Sequence, residues 1–145
     1  MTEWRIRPAR VEDVLAITPR AEQADERPAA MAISEAAALI NETGWTITEE
    51  KVAAPPLVVG GLGRLADRGL WGWALVAEGA PKAAVAIAVR FARHMLADVR
   101  EPVRITVRRG FEAGETAARR MGFRRIVGDP QAPAGYSIWI HEGVT

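Results

Sequence analysis

Leu70-Trp71-Gly72-Trp73-Ala74-Leu75-Val76, followed by Ala77-Glu78-Gly79-Ala80-Pro81 and an apolar run that opens Lys82-Ala83-Ala84-Val85, is the stretch that decides the fold. Its first seven residues, apolar and rich in aromatic and branched side chains, read as a strand. Pro81 suits the first turn of a helix, where a missing N–H costs no intrahelical bond. From there to about Arg100, a polar stripe runs through Lys82, Ala86, Arg90, Arg93, Ala97 and Arg100. Val85, Ala88, Ala92 and Leu96, flanked by Ile87, Val89, Phe91 and Met95, form a wide apolar side. Pro102 resets the chain, and Val103-Arg104-Ile105-Thr106-Val107 alternates as a strand. Strand, helix and strand form a crossover unit, which predicts right-handed, parallel pairing.

Upstream, Pro55-Pro56 forces extended chain into Leu57-Val58-Val59-Gly60-Gly61-Leu62, a second apolar strand. The turn chemistry of Asp67-Arg68-Gly69 joins it to the Trp71 strand as an antiparallel hairpin. Small residues between the tryptophans leave room for another backbone or a ligand. Earlier still, Trp4 to Arg7 alternates as a strand ended by Pro8, and Val11, Val14 and Leu15 fall at helical spacing before Pro19. Ala21–Pro28 is polar and fits no single element. Ala30–Glu42 reads as an alanine-rich helix stopped near Gly44, and Trp45 and Ile47 alternate with threonines as a strand. Downstream come a short helix from Phe111 to Met121, a strand from Phe123 to Val127, a Gly128-Asp129-Pro130 turn and a last strand from Tyr136 to His141. The order β-α-α-β-β-β-α-β-α-β-β predicts an α/β (α+β mixed) fold: a mixed sheet with helices on its faces, in one domain spanning 1–145.

At 145 residues the chain is long enough to hide roughly two-thirds of its unfolded surface in one core. It has no cysteine, which excludes disulfides, thiolate metal sites and a cysteine nucleophile. His94 and His141 stand far apart, so no histidine metal motif forms. Met1 to Arg5 lacks the pattern of a secretory signal, and the apolar run Ala83–Val89 is too short to span a bilayer. These features predict a soluble protein without a membrane partner, located in the cytoplasm. Residues 1–80 hold 8 basic and 12 acidic side chains, against 11 and 6 in residues 81–145. The basic excess reads either as an anion site or as solvated faces. Few aromatics interleave with the arginines, which argues against nucleic acid.

Ile6-Arg7-Pro8-Ala9 with Glu12-Asp13-Val14, and Thr106-Val107 with Ala117-Ala118-Arg119-Arg120-Met121-Gly122-Phe123-Arg124, resemble the opening strand and helix and the late strand, helix and Gly-Phe signature of the GNAT superfamily of N-acetyltransferases. Within it the chain looks most like small acetyltransferase-like proteins carried by phages and prophages. The resemblance implies a mostly antiparallel sheet with helices on both faces and a V-shaped opening between strands 4 and 5. It further implies acetyl-CoA as cofactor, its arm on the backbone of Leu75, Val76 and Ala77 and its pyrophosphate on Lys82, Ala83 and Ala84 at the helix start. The implied function is acetyl transfer to a small-molecule or peptide amine.

Three positions depart from the family pattern. The phosphate-loop window Pro81-Lys82-Ala83-Ala84-Val85-Ala86 agrees only at Ala86, and Pro81 removes a donor. Ala118 occupies the place of a frequent tyrosine acid, and Leu70–Ala77 contains no carboxylate base. Glu78 and Tyr136 are the replacement catalytic candidates, each with a plain alternative in charge complementation or packing. His94 and His141 read as surface groups. Trp71 and Trp73 share a face as core or stacking residues, and one side of Ile138-Trp139-Ile140 asks for cover, as in a homodimer. The departures leave a second reading open: a non-catalytic acetyltransferase-like module working as a binding or virion-associated structural protein, with virion proteins as partners and the virion as its location.

Overall fold

In the computed structural model the Trp71 strand is central to a seven-stranded sheet of order β1-β2-β3-β4-β5-β7-β6. The structure describes residues 3–23, 44–65 and 69–143. The strands are β1 (Trp4–Pro8), β2 (Gly44–Glu49), β3 (Val58–Leu65), β4 (Gly69–Val76), β5 (Val103–Arg108), β6 (Arg124–Ile126) and β7 (Tyr136–His141). Among the described residues the helices are α1 (Val11–Ala16), α2 (Lys82–Leu96) and α3 (Glu112–Arg120), with a 3-10 turn at Ala21–Gln23. The helix expected over Ala30–Glu42, and Asp67 and Arg68 of the expected turn, lie outside the described residues.

β3 and β4 form the expected antiparallel hairpin, from Val58↔Val76 to Leu65↔Gly69. β4 and β5 pair in parallel, as the crossover demands; the other neighbours are antiparallel. On one face Trp45, Ile47 and Val58 pack under Ala84 and Ala88 of α2. Val103, Val107 and Trp139 pack there with Leu96 and with Ala118 of α3. On the other face Val14 and Ile17 cover Val59 and Leu75. Helices therefore lie on both faces, because each apolar face of the sheet must be buried.

α2 begins after Pro81, which caps the helix rather than entering its first turn. It ends at Leu96, short of the expected Arg100, and Val99 folds back onto the β5 core. In α1 Leu15, which falls at helical spacing with Val11 and Val14, is 59% exposed. A helix of this length buries one narrow side, and Asp13 shares it with Val14. Asp13 accepts two bonds from Arg7, at 2.7 Å each, one from the Arg10 amide at 2.9 Å and one from Thr46 Oγ1 at 2.9 Å. That carboxylate ties α1 to β1 and β2.

The expected need for outside cover on the last strand is corrected. Ile138, Trp139 and Ile140 are all buried within the chain. Trp139 donates Nε1–H to Ser137 Oγ at 3.0 Å and lies 5.2 Å beneath the Arg119 guanidinium. This strand therefore supplies no argument for a homodimer. The glycine between the tryptophans also has an internal occupant: a Cβ on Gly72 would lie 2.9 Å from Ile105 Cγ2. Ile105 thus fills the space at the point where β4 and β5 meet.

Candidate active site

β4 and β5 pair only at Leu70↔Val103 and Trp71↔Arg104. Beyond that point β4 runs on to Val76 and β5 to Arg108 without further pairing. The sheet is split there into a V. A cavity of about 240 Å³ lies against the split, between the sheet and the helices α2 and α3. Val85, Val89, Ala92 and Met95 of α2 line one side, and Phe111, Gly114 and Ala117 line another. The polar border consists of Arg20, Gln23, Thr106 and Arg108, with Trp71 and Trp73 beside them.

Strand alternation decides which backbone groups face the split. Ala77 N–H donates to Leu57 O on the β3 side at 2.8 Å, and Leu75 shares that orientation. Ala74 and Val76 turn the other way. Their edge is met by the chain itself: Gln23 Nε2 donates to Ala74 O at 3.0 Å, and Val76 N–H donates to Gln23 Oε1 at 2.9 Å. Arg20 N–H donates to Val76 O at 3.0 Å, and Glu78 N–H donates to Thr18 O at 2.7 Å. Across the split, Arg108 Nη1 donates to Glu22 O at 3.2 Å. The 3-10 turn thus touches both parted strands.

One buried donor here has no internal partner. Among the described residues, Trp73 Nε1 is the buried side-chain polar atom without a hydrogen bond. Such atoms are rare in folded proteins. Trp73 borders the cavity. The split thus combines an apolar slot, a strand edge met by the Gln23 carboxamide and an indole N–H without an internal acceptor.

The sequence candidates fall at different places. Val76 borders the cavity, whereas Leu75 is buried against α1. Lys82 and Ala83 are exposed at the start of α2, and Ala84 is buried against the sheet. Glu78 is exposed at the end of β4, and Tyr136 sits across from Arg108 at the start of β7. Neither borders the cavity, and the described lining holds no carboxylate, histidine or tyrosine. Ala118 is fully buried in the core. His94 is exposed, while His141 is half-buried edge-on to Phe123, with ring centroids 5.6 Å apart. Gln23, Arg20, Thr106 and Arg108 were not candidates from sequence.

No protein-family model and no curated protein matches the sequence. Solved structures do match. An acetyltransferase of the GNAT family from Bacillus cereus superposes with a TM-score of 0.65 at 10% identity, over 99% of both chains. An acetyltransferase from Agrobacterium tumefaciens gives 0.64 at 14% identity, over 98% of this chain and 92% of its own. The chain has the GNAT acetyltransferase fold. A third match, yncA from Salmonella typhimurium solved with its cofactor acetyl-CoA, gives 0.60 at 15% identity, over 97% and 94%. The strand order, the parallel β4–β5 pair and the V between those strands are features of the GNAT fold in this chain. Among the described residues no group of three or more His, Cys, Asp or Glu side chains could hold a metal ion. No described helix is long and apolar enough to cross a membrane.

Proposed function

We propose that the chain is an acyl-CoA-dependent N-acyltransferase that transfers an acetyl group to a small-molecule or peptide amine, with the V between β4 and β5 as its cofactor slot. One observation carries this reading: the strands part after two paired residues, beside an apolar cavity bordered by the β4 edge that Gln23 meets. Of Leu75, Val76 and Ala77, this reading keeps Val76 and adds Ala74, because these turn their groups toward the split. Lys82 and Ala83 would hold the phosphates. The first amides of α2 have no partner in the helix, and Lys82 adds a positive charge. Arg20 and Arg108 add positive charge at the cavity border.

Acetyl-CoA, when bound, supplies the activated acyl group. The protein's part is binding, orientation and exclusion of water. Val85, Val89 and Met95 keep the slot dry, which lowers the local dielectric and strengthens each hydrogen bond made there. The Trp73 N–H, which has no internal acceptor, is a donor placed to polarise a carbonyl. None of the described cavity residues can take a proton from an attacking amine. On this reading the acceptor arrives neutral. Turnover should rise with pH, about tenfold per unit, until the acceptor amine itself is deprotonated, near pH 8 for an α-amine and above 10 for a lysine.

Calorimetric titration with coenzyme A, followed by an assay for released thiol over a panel of amines, tests the proposal. Expected are micromolar-to-millimolar binding and turnover with the pH dependence above. Absence of binding overturns the cofactor slot. Binding without turnover on any amine favours the second reading, a non-catalytic module.

A further inference from the structure

We infer that Gln23 is a built-in competitor for the cofactor slot and sets its affinity. The inference rests on the cofactor reading above, and its evidence is the way one side chain completes an open strand edge. Gln23 is 8% exposed, at the end of the 3-10 turn. Its carboxamide gives a donor to Ala74 O and takes one from Val76 N–H, at 3.0 and 2.9 Å. A neighbouring strand would meet β4 with this same donor–acceptor pair, two residues apart. β5 has left the edge at that point, and Gln23 stands in for it.

A ligand carrying a secondary amide would use the same two groups. Ala74 O has a second lone pair, but Val76 N–H has one hydrogen to give. Ligand and side chain therefore compete for the Val76 N–H. Release of Gln23 need not unfold its surroundings. Arg20 N–H to Val76 O, Glu78 N–H to Thr18 O and the Pro19↔Ala77 bridge hold the same segment through backbone alone. Swinging one side chain aside clears the amide while those contacts persist.

The consequence is quantitative. If the carboxamide rests on β4 nine-tenths of the time, the apparent affinity for a competing ligand is reduced about tenfold. Removing the competitor should recover that factor. It should also lower the stability of the free protein, because the edge loses its partner. A residue that merely supported the slot would weaken binding when removed, so the sign separates the two roles.

The test is titration of the full chain with coenzyme A for the native protein, Gln23→Ala and Gln23→Met. Methionine keeps the length of the side chain without either bond, which guards against a packing defect in the alanine variant. Both variants should bind about tenfold more tightly and melt at lower temperature when free. In the native protein the Gln23 side-chain NH2 resonances should move on saturation, while the Val76 amide stays protected from exchange. If the native protein binds coenzyme A and neither variant binds more tightly, or the Gln23 resonances do not move, the competition is refuted and the slot stands. If none of the three proteins binds coenzyme A, the slot reading fails, and the competitor role with it.

Discussion

Replacing Val89 with tryptophan weakens coenzyme A binding by at least about 100-fold, some 2.7 kcal/mol, while the protein stays folded. Val89 is half-buried on α2 and borders the cavity without entering the apolar clusters of the core. An indole there projects into existing space, so the usual strain of enlarging a packed residue is largely avoided. About 240 Å³ is a small volume, and a tryptophan takes a large share of it. Ala86→Trp, on the exposed side of the same helix, controls for effects on helix stability. Binding by calorimetry and melting by circular dichroism read the two effects separately. Native-like affinity in Val89→Trp would mean that coenzyme A binds elsewhere.

Asp13→Ala costs about 3 kcal/mol of stability, toward the lower end for a broken buried ion pair because Arg7 retains some solvent. The variant leaves the Arg10 amide and the buried Thr46 hydroxyl without their acceptor. For a chain of this size the melting temperature should fall by roughly 10 °C. The same network makes stability depend on acid. Burial pushes the Asp13 carboxyl up, the largest single influence, but the Arg7 bond, the Arg10 amide and the Thr46 hydroxyl together hold it below its ordinary value. A depressed carboxyl stabilises the fold at pH values above the unfolded carboxylate range and loses that contribution as pH falls through its folded value. Urea midpoints from pH 7 downward should therefore drop below about pH 4 in the native protein and flatten in Asp13→Asn. Parallel profiles for the two would contradict the assigned role.

Much of the scaffold was legible because local chemistry repeats it. Pro81, Pro102 and Gly44 punctuate the chain, and the alternation of Val103–Val107 and the apolar side of α2 specify element type. The parallel pairing of β4 and β5 followed from the crossover between them. Where that pairing stops is different in kind. At that point Ile105 reaches over Gly72, a contact between strands that no periodicity encodes. Gln23 was hidden for a related reason: it lies in a polar segment without a period, and its partners are 51 and 53 residues away. Asp13 was noticed only as part of a motif, since a carboxylate with four donors looks in sequence like any acid in a helix's first turn. The candidates Glu78 and Tyr136 came from residue type, and type alone does not place a side chain against a cavity.

The central claim is that the split between β4 and β5 receives a pantetheine arm. A crystal structure of the protein grown with saturating coenzyme A tests it most directly. The arm should lie between the parted strands, bonded to Val76 N–H, with Gln23 turned away and the indole N–H of Trp73 engaged. Density for coenzyme A anywhere else, with Gln23 still on Ala74 and Val76, would contradict it.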